Sequence, residues 1–310
     1  DVVLAMIPTV HARVKTPGKN DDWTEHPRRD EWTDWLETLD MALLDEADRA
    51  TSNRWSDVLS HAENTHYRVG FSGSFDTHGE LDENKQLGLM GPVLKWVKNI
   101  ELVNRGISVK PKVILHPYRH DLPTPPISQW YDMNGPERRK WAYEVGVVTN
   151  FDRHDMIQEL INPDVQNAVI VQRVQHGEIL ADEVLPDSEY LYGDDSKSRR
   201  KEVLERFQAG KFTTLITTKI LDRGTNWLSR ARNLIFASGA GSKTQTLQRI
   251  GRGLRDEPGK DKLMLHDIID LPPEMYDPDA KVDPYMYFLN STEKRIDLYN
   301  EEEFEIRIND

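Results

Sequence analysis

Two short runs carry residue types that can do chemistry at phosphate. The first is Asp45-Glu46-Ala47-Asp48, a set of carboxylates at the end of the apolar run Met41-Ala42-Leu43-Leu44. The second, some 200 residues on, is Gln248-Arg249-Ile250-Gly251-Arg252-Gly253-Leu254-Arg255. A carboxylate such as Asp45 at the carboxyl end of a strand can hold Mg²⁺ through water, because Mg²⁺ gives up its hydration shell reluctantly. The adjoining Glu46 can orient and deprotonate an attacking water while the metal neutralises phosphate charge. Gln248, Gly251, Arg252 and Arg255 are spaced i, i+3, i+4 and i+7, which predicts one face of a helix. A glycine within a helix costs about 1 kcal/mol against alanine, so close approach of another group is the expected reason for Gly251. Guanidiniums on that face can stabilise charge developing on a transferred phosphoryl group. Acid first and arginine later is the arrangement of an NTPase that works in a cleft between two domains. Either run alone also fits an acidic turn or a surface helix with ordinary ion pairs; the pair together favours the site.

Other residues are secondary. Ser72-Gly73-Ser74 follows the apolar run Tyr67–Phe71, and its hydroxyls are expected to bond Asp48 or simply to make a turn. Gly239-Ala240-Gly241-Ser242-Lys243-Thr244 imitates a phosphate-binding loop but has serine where glycine must precede the lysine. It is read as a connection. Pro117 breaks the helix that would align His116 with His120 as metal ligands. Trp130 and Trp141 are read as packing residues, and Arg199-Arg200-Lys201 as a solvated helix face.

The elements that position these groups alternate. Val2–Ile7 reads as a buried strand ended by Pro8, followed by a polar loop and a short helix marked by Trp32, Trp35, Leu36 and Leu39. Met41–Leu44 and Tyr67–Phe71 read as strands. A crossing strand is expected at 113–118, and a proline-rich junction follows at Pro123, Pro125 and Pro126. Residues 137–162 read as mostly helical. A second series follows: strands at Ala168–Val171, Tyr190–Tyr192, Thr213–Thr218, Asn233–Ala237 and Leu263–Ile269, with a charged helix at Lys197–Ala209. The expected fold is α/β, with parallel sheets in two domains, 1–112 and 113–310.

The chain has 310 residues, 37% of them hydrophobic and 30% charged, enough for two cored domains. No apolar stretch approaches the roughly 20 residues that span a bilayer. There is no cysteine, which excludes disulfides and thiolate zinc sites. A net charge of -13 argues against nonspecific coating of nucleic acid but leaves a local basic groove open. The chain starts at Asp1 within an apolar run and is expected to be a fragment or a processed product.

The motifs together resemble superfamily 2 helicases. Asp45–Asp48 resembles motif II (Walker B), Ser72–Ser74 motif III, Thr217–Gly224 motif V and Gln248–Arg255 motif VI. Ile170–Gly177 is similar to motif IV of the branch that holds phage repair and branch-migration helicases and xeroderma-pigmentosum-B-like translocases. Residues 138–162 and Ser291–Phe304 look like that branch too. The resemblance implies two RecA-like domains, the first truncated at its N-terminus, with ATP between them and a nucleic-acid strand across their surface. It implies Asp45 on Mg²⁺, Glu46 as base, Asp48 at the nucleotide, Arg252 and Arg255 on the γ-phosphate, and Gln248 placing water or phosphate. Gly224 would sit by the nucleotide, and Asn226 stands where many members have aspartate near the ribose. Ser72 and Ser74 would couple the nucleotide site to other surfaces. Thr9, Thr217 and Thr218 would contact the nucleic-acid backbone, which carries no sequence information. The family places a Gly-Lys-Thr loop upstream of the acidic box, so these 310 residues alone are expected to hydrolyse ATP negligibly. The implied partner is DNA, with RNA open; no membrane is involved, the oligomeric state is open, and the compartment is the cytoplasm of a phage-infected or bacterial cell. The competing expectations are a nucleic-acid-binding helicase-fold module without ATPase activity, and the translocase subunit of a restriction-type enzyme.

Overall fold

The computed structural model describes residues 2–15, 26–73, 80–123, 125–218, 227–238, 243–277 and 279–309. They form two compact units, Asp1–Trp96 and Val97–Asp310. Residues 112 and 113 lie inside one strand, so the division falls well ahead of the position expected from the proline-rich segment.

The first unit holds α1 (Ile7–Val14), α2 (Arg29–Glu37), β1 (Met41–Asp45), α3 (Asn53–Ser60), β2 (Tyr67–Phe71) and α4 (Glu80–Met90). β1 and β2 pair in parallel, with Asp45 opposite Phe71. The expected strand at Val2–Ile7 is not formed: residues 2–6 are exposed and belong to no helix or strand, and Pro8 sits at the start of α1. Proline's fixed φ and missing N–H suit a first helical turn, so the residue read as a stop is a start. Only one face of the β1–β2 pair is covered. Ala42 and Leu44 pack with Ala47, Leu59 and Met90. Met41, Leu43, Tyr67, Val69 and Phe71 form an exposed apolar row on the other face. Val10, Val14, Leu36, Val58 and Ala62 make a second small core, joined by Trp32 and Trp35.

The second unit contains α5 (Asn99–Asn104), β3 (Lys110–Arg119), α6 (Ile127–Asp132), α7 (Gly135–Tyr143), α8 (Phe151–Glu159), β4 (Asn167–Ile170), α9 (Val174–Ile179), β5 (Glu189–Leu191), α10 (Lys197–Gln208), β6 (Thr214–Thr217), β7 (Asn233–Phe236), α11 (Lys243–Gly253), β8 (Lys262–Leu271), α12 (Met286–Glu301) and β9 (Glu305–Ile308). Seven strands form one sheet in the order β5-β6-β4-β7-β8-β3-β9, and every pairing is parallel. The crossing strand expected at 113–118 is a long interior member. β9 pairs only with residues 112–115 of β3, so the missing N–H of Pro117 interrupts no bond on that side. Helices cover both faces, as parallel sheets require. Leu204, Phe207, Ile250, Leu254 and Tyr299 pack on one face, and Ile157, Leu180 and Leu185 on the other. Trp130 is buried edge-on against Trp141, as packing residues should be. Among the described residues, no helix is long and apolar enough to cross a membrane.

Candidate functional site

In the first unit the parallel register puts the ends of β1 and β2 side by side, so Asp45 and Ser72 emerge from the same edge. Asp45 is exposed, and one of its carboxylate oxygens accepts the Glu46 N–H at 3.0 Å. Glu46 has φ 52° and ψ 46°, the left-handed region, which costs a non-glycine residue about 1–3 kcal/mol. That backbone reverses the chain directly after the strand and leaves the Glu46 carboxylate half-exposed, 3.6 Å from Arg49. Asp48 lies half-buried in the following turn. Burial pushes its carboxyl up, and the Ser72 hydroxyl, donating to Oδ1 at 2.9 Å, offsets part of that rise. The hydroxyl contact expected of this segment is therefore present at Ser72; Ser74 lies outside the described residues. A β-carbon at Gly70 would come within 2.7 Å of the Ala47 β-carbon, so glycine there lets β2 close on the acidic turn.

Among the described residues no group of three or more His, Cys, Asp or Glu side chains could hold a metal. A lone exposed carboxylate such as Asp45 suits a hydrated Mg²⁺ that takes its other ligands from water and phosphate.

In the second unit, α11 carries Gln248 and Arg252, both partly exposed. The helix ends at Gly253, so Arg255 is not on its face: it is exposed, in an antiparallel bridge with Ser108. The chain leaves the helix there because the Leu254 carbonyl accepts the Val109 N–H at 2.8 Å. The glycine expectation also moves. A β-carbon at Gly251 would meet open space, whereas one at Gly253 would lie 2.8 Å from Leu263 Cδ2. Arg249, between the predicted positions, is buried.

Thr217 is fully buried in β6, its hydroxyl donating to the Thr218 carbonyl at 3.0 Å. Thr218 follows the strand and is buried, and Thr9 is exposed on α1. Gly224 and Asn226 lie outside the described residues.

Sequence reasoning passed over a buried charge network near the carboxyl ends of β3, β7 and β8. Asp270, fully buried, accepts Arg153 Nη1 at 2.6 Å and bonds His120 Nε2 at 2.8 Å. Burial alone would raise its carboxyl; Arg153, His120 and Arg295 outweigh burial and hold it at about 2. Arg153 Nε also donates to the Ala237 carbonyl, just past β7, at 3.1 Å. Arg295 Nε and the Tyr299 hydroxyl both reach Asp267 at 2.8 Å. Two aspartates inside the apolar run Leu263–Leu271 were the available signal, since buried carboxylates need partners. A cavity of about 700 Å³ lies at the opposite, amino end of the sheet, lined in part by Asn162, Arg232, Asn233, Lys262 and His266. None of the predicted site residues among the described ones borders it.

Known proteins match parts of this chain. The family model described as the helicase conserved C-terminal domain matches residues 152–257, from α8 through α11. The ATP-dependent DNA helicase uvsW of Enterobacteria phage T4 is 23% identical over 285 residues, covering 87% of this chain and 54% of that protein. A protein named for the DNA helicase Rad25, from Haloarcula marismortui, is 27% identical over 198 residues, covering 62% of this chain and 30% of its own length. The chain thus spans about half of one relative and under a third of the other. Among solved structures, the ATP-dependent Type ISP restriction-modification enzyme LlaBIII bound to DNA superposes with a TM-score of 0.56 at 14% identity, over 87% of this chain and 21% of that one. At that identity the likeness concerns the fold alone. The matches thus show a helicase conserved C-terminal domain at residues 152–257, in a chain whose sequence is similar to DNA helicases over most of its length.

Proposed function

We propose that the chain is the core of an ATP-dependent DNA helicase or translocase that couples ATP hydrolysis to unwinding or branch migration. The observation that carries this reading is the helicase-domain match through the arginine segment, in a chain whose other unit ends a parallel strand at Asp45 with Glu46 directly after it. Bound Mg²⁺ would neutralise phosphate charge. Asp45 orients that ion through water. Glu46, held outward by its left-handed backbone, accepts the proton of the attacking water. Arg252 and Arg255 stabilise the phosphoryl charge, and Gln248 places the water or phosphate. The helicase resemblance assigns Gly224 and Asn226, which lie outside the described residues, to nucleotide binding. Ser72 transmits the state of the acidic turn through Asp48, with Ser74 assigned the same part by the resemblance. Thr9, exposed on α1, serves the nucleic-acid strand; Thr217, fully buried with its hydroxyl on the Thr218 carbonyl, and Thr218, also buried, are not placed to meet it.

The test is Glu46→Gln in the full-length protein. Loss of a general base costs about 10²–10⁴ in turnover. DNA-stimulated ATP hydrolysis is expected to fall by at least about 100-fold while ATP binding persists. Near-normal turnover defeats the assignment of Glu46. A wild-type protein that binds DNA but never hydrolyses ATP is instead a nucleic-acid-binding module.

A further inference from the structure

The last turn of α11 leaves backbone carbonyls without helical partners, as every helix end does. One of them, at Gly253, accepts from Lys260 Nζ. The same ammonium donates to the Ser229 carbonyl at 2.6 Å. Lys260 is only 4% exposed. Ser229 belongs to the short turn Trp227–Arg230, and its hydroxyl donates to Glu257 Oε1 at 2.6 Å. One lysine therefore joins the end of the arginine helix to a separate turn.

Burying an ammonium is costly. Burial pulls the Lys260 pKa down to about 8, Arg232 ahead of β7 repels it further, and Glu257 and Asp256 after α11 favour its charge. An apolar side chain would fill the space without that cost but would leave two buried carbonyls unsatisfied. A cation at a helix C-terminus is also favoured by the helix dipole. Gly253 also lies against Leu263 with no room for a β-carbon. The helix end is thus held by two separate contacts, the Lys260 ammonium and the Leu263 side chain.

We propose that Lys260 is a positioning residue that pins the last turn of α11 to the Trp227–Arg230 turn and so sets the placement of Arg252 and Arg255. The clamp stands on its own geometry; its consequence for turnover rests on the helicase reading.

Two variants in the full-length protein test it, Lys260→Met and Lys260→Arg. Backbone hydrogen exchange of Ile250–Leu254 is expected to quicken about tenfold in Lys260→Met, the factor expected for one lost charge-assisted bond. Exchange in β4 is expected to stay unchanged. DNA-stimulated kcat is expected to fall about tenfold with KM for ATP within about twofold, as for a contact made in the transition state. Lys260→Arg is expected to recover most of both. Unchanged exchange in Lys260→Met overturns the clamp whatever the turnover. Loss of protection that spreads to β4, or faster exchange with wild-type kcat, overturns the positioning role. If the wild type hydrolyses no ATP, the helicase reading fails and the exchange comparison alone decides the clamp.

Discussion

Replacing Arg153 with methionine strips a buried carboxylate of its strongest partner. Asp270 stands at about 2 in the fold against an ordinary 3.8. At ~1.4 kcal/mol per pKa unit, that difference makes the ionised carboxylate worth about 2.5 kcal/mol to the folded state. Arg153→Met removes the guanidinium and its bond to the Ala237 carbonyl while Asp270 stays buried, so the opposing effect of burial is left exposed. Breaking one side of a buried pair costs about 3–5 kcal/mol, and that is the expected loss at pH 7. Urea unfolding, followed by exchange protection of the β4 and β7 amides, reports this unit alone. With a slope of roughly 1–3 kcal/mol per molar urea, the midpoint drops by at least about 1 M. The pH dependence has a defined sign. A depressed carboxyl lends stability above its unfolded value and loses it as pH falls, so the wild type weakens between about pH 4 and pH 2. In the variant, burial holds the carboxyl above its ordinary value, so protonation favours the fold and the gap to wild type narrows as acid is added. Adding Asp270→Leu to Arg153→Met removes the orphaned charge and is expected to restore part of the loss. A single-variant cost below about 1 kcal/mol, a gap that stays constant down to pH 3, or a double variant as weak as the sum of its parts would refute the reasoning.

Two further outcomes are expected. Gly177→Ala would drive its β-carbon into the Tyr190 ring, whose hydroxyl is tied to the Val174 carbonyl at 3.0 Å; thermal melting should show a loss of about 1–3 kcal/mol, and an unchanged melting temperature would show that the ring yields freely. Ser72→Ala removes the donor that lowers the Asp48 carboxyl, so NMR titration should find Asp48 higher still, and a fall would mean that Ser72 is not its partner.

Strand and helix types in the second unit were readable because burial there is two-sided. Asn167–Ile170 and Asn233–Phe236 are continuous buried runs, and the charged helix starts where Ser196 caps it through the Arg199 N–H. The acidic turn was also readable, since Asp45 closes an apolar strand. What escaped was set by neighbours distant in sequence. The apolar Val2–Met6 run finds no ladder among the described residues. Arg255 leaves the helix because Val109, more than a hundred residues earlier, takes the carbonyl before it. Spacing alone gave Gly251 a packing reason that belongs to Gly253, because only the fold shows that β8 lies under the latter. Lys260 and Asp270 carried no periodic signal: each depends on a partner, Ser229 or Arg153, brought in by the sheet.

The uncovered apolar row on β1 and β2 bears on how the chain holds together. A parallel sheet is ordinarily covered on both faces, and the two-stranded one here has Leu43 at 64% and Phe71 at 58% exposure. The seven-stranded sheet has helices on both sides. The two units therefore draw on unequal reserves of buried apolar surface. The acidic turn and its strained Glu46 ride on the smaller reserve, whereas the arginine segment is anchored to the larger. Heat or denaturant should loosen the unit that carries Asp45 and Glu46 while the unit that carries α11 is still folded.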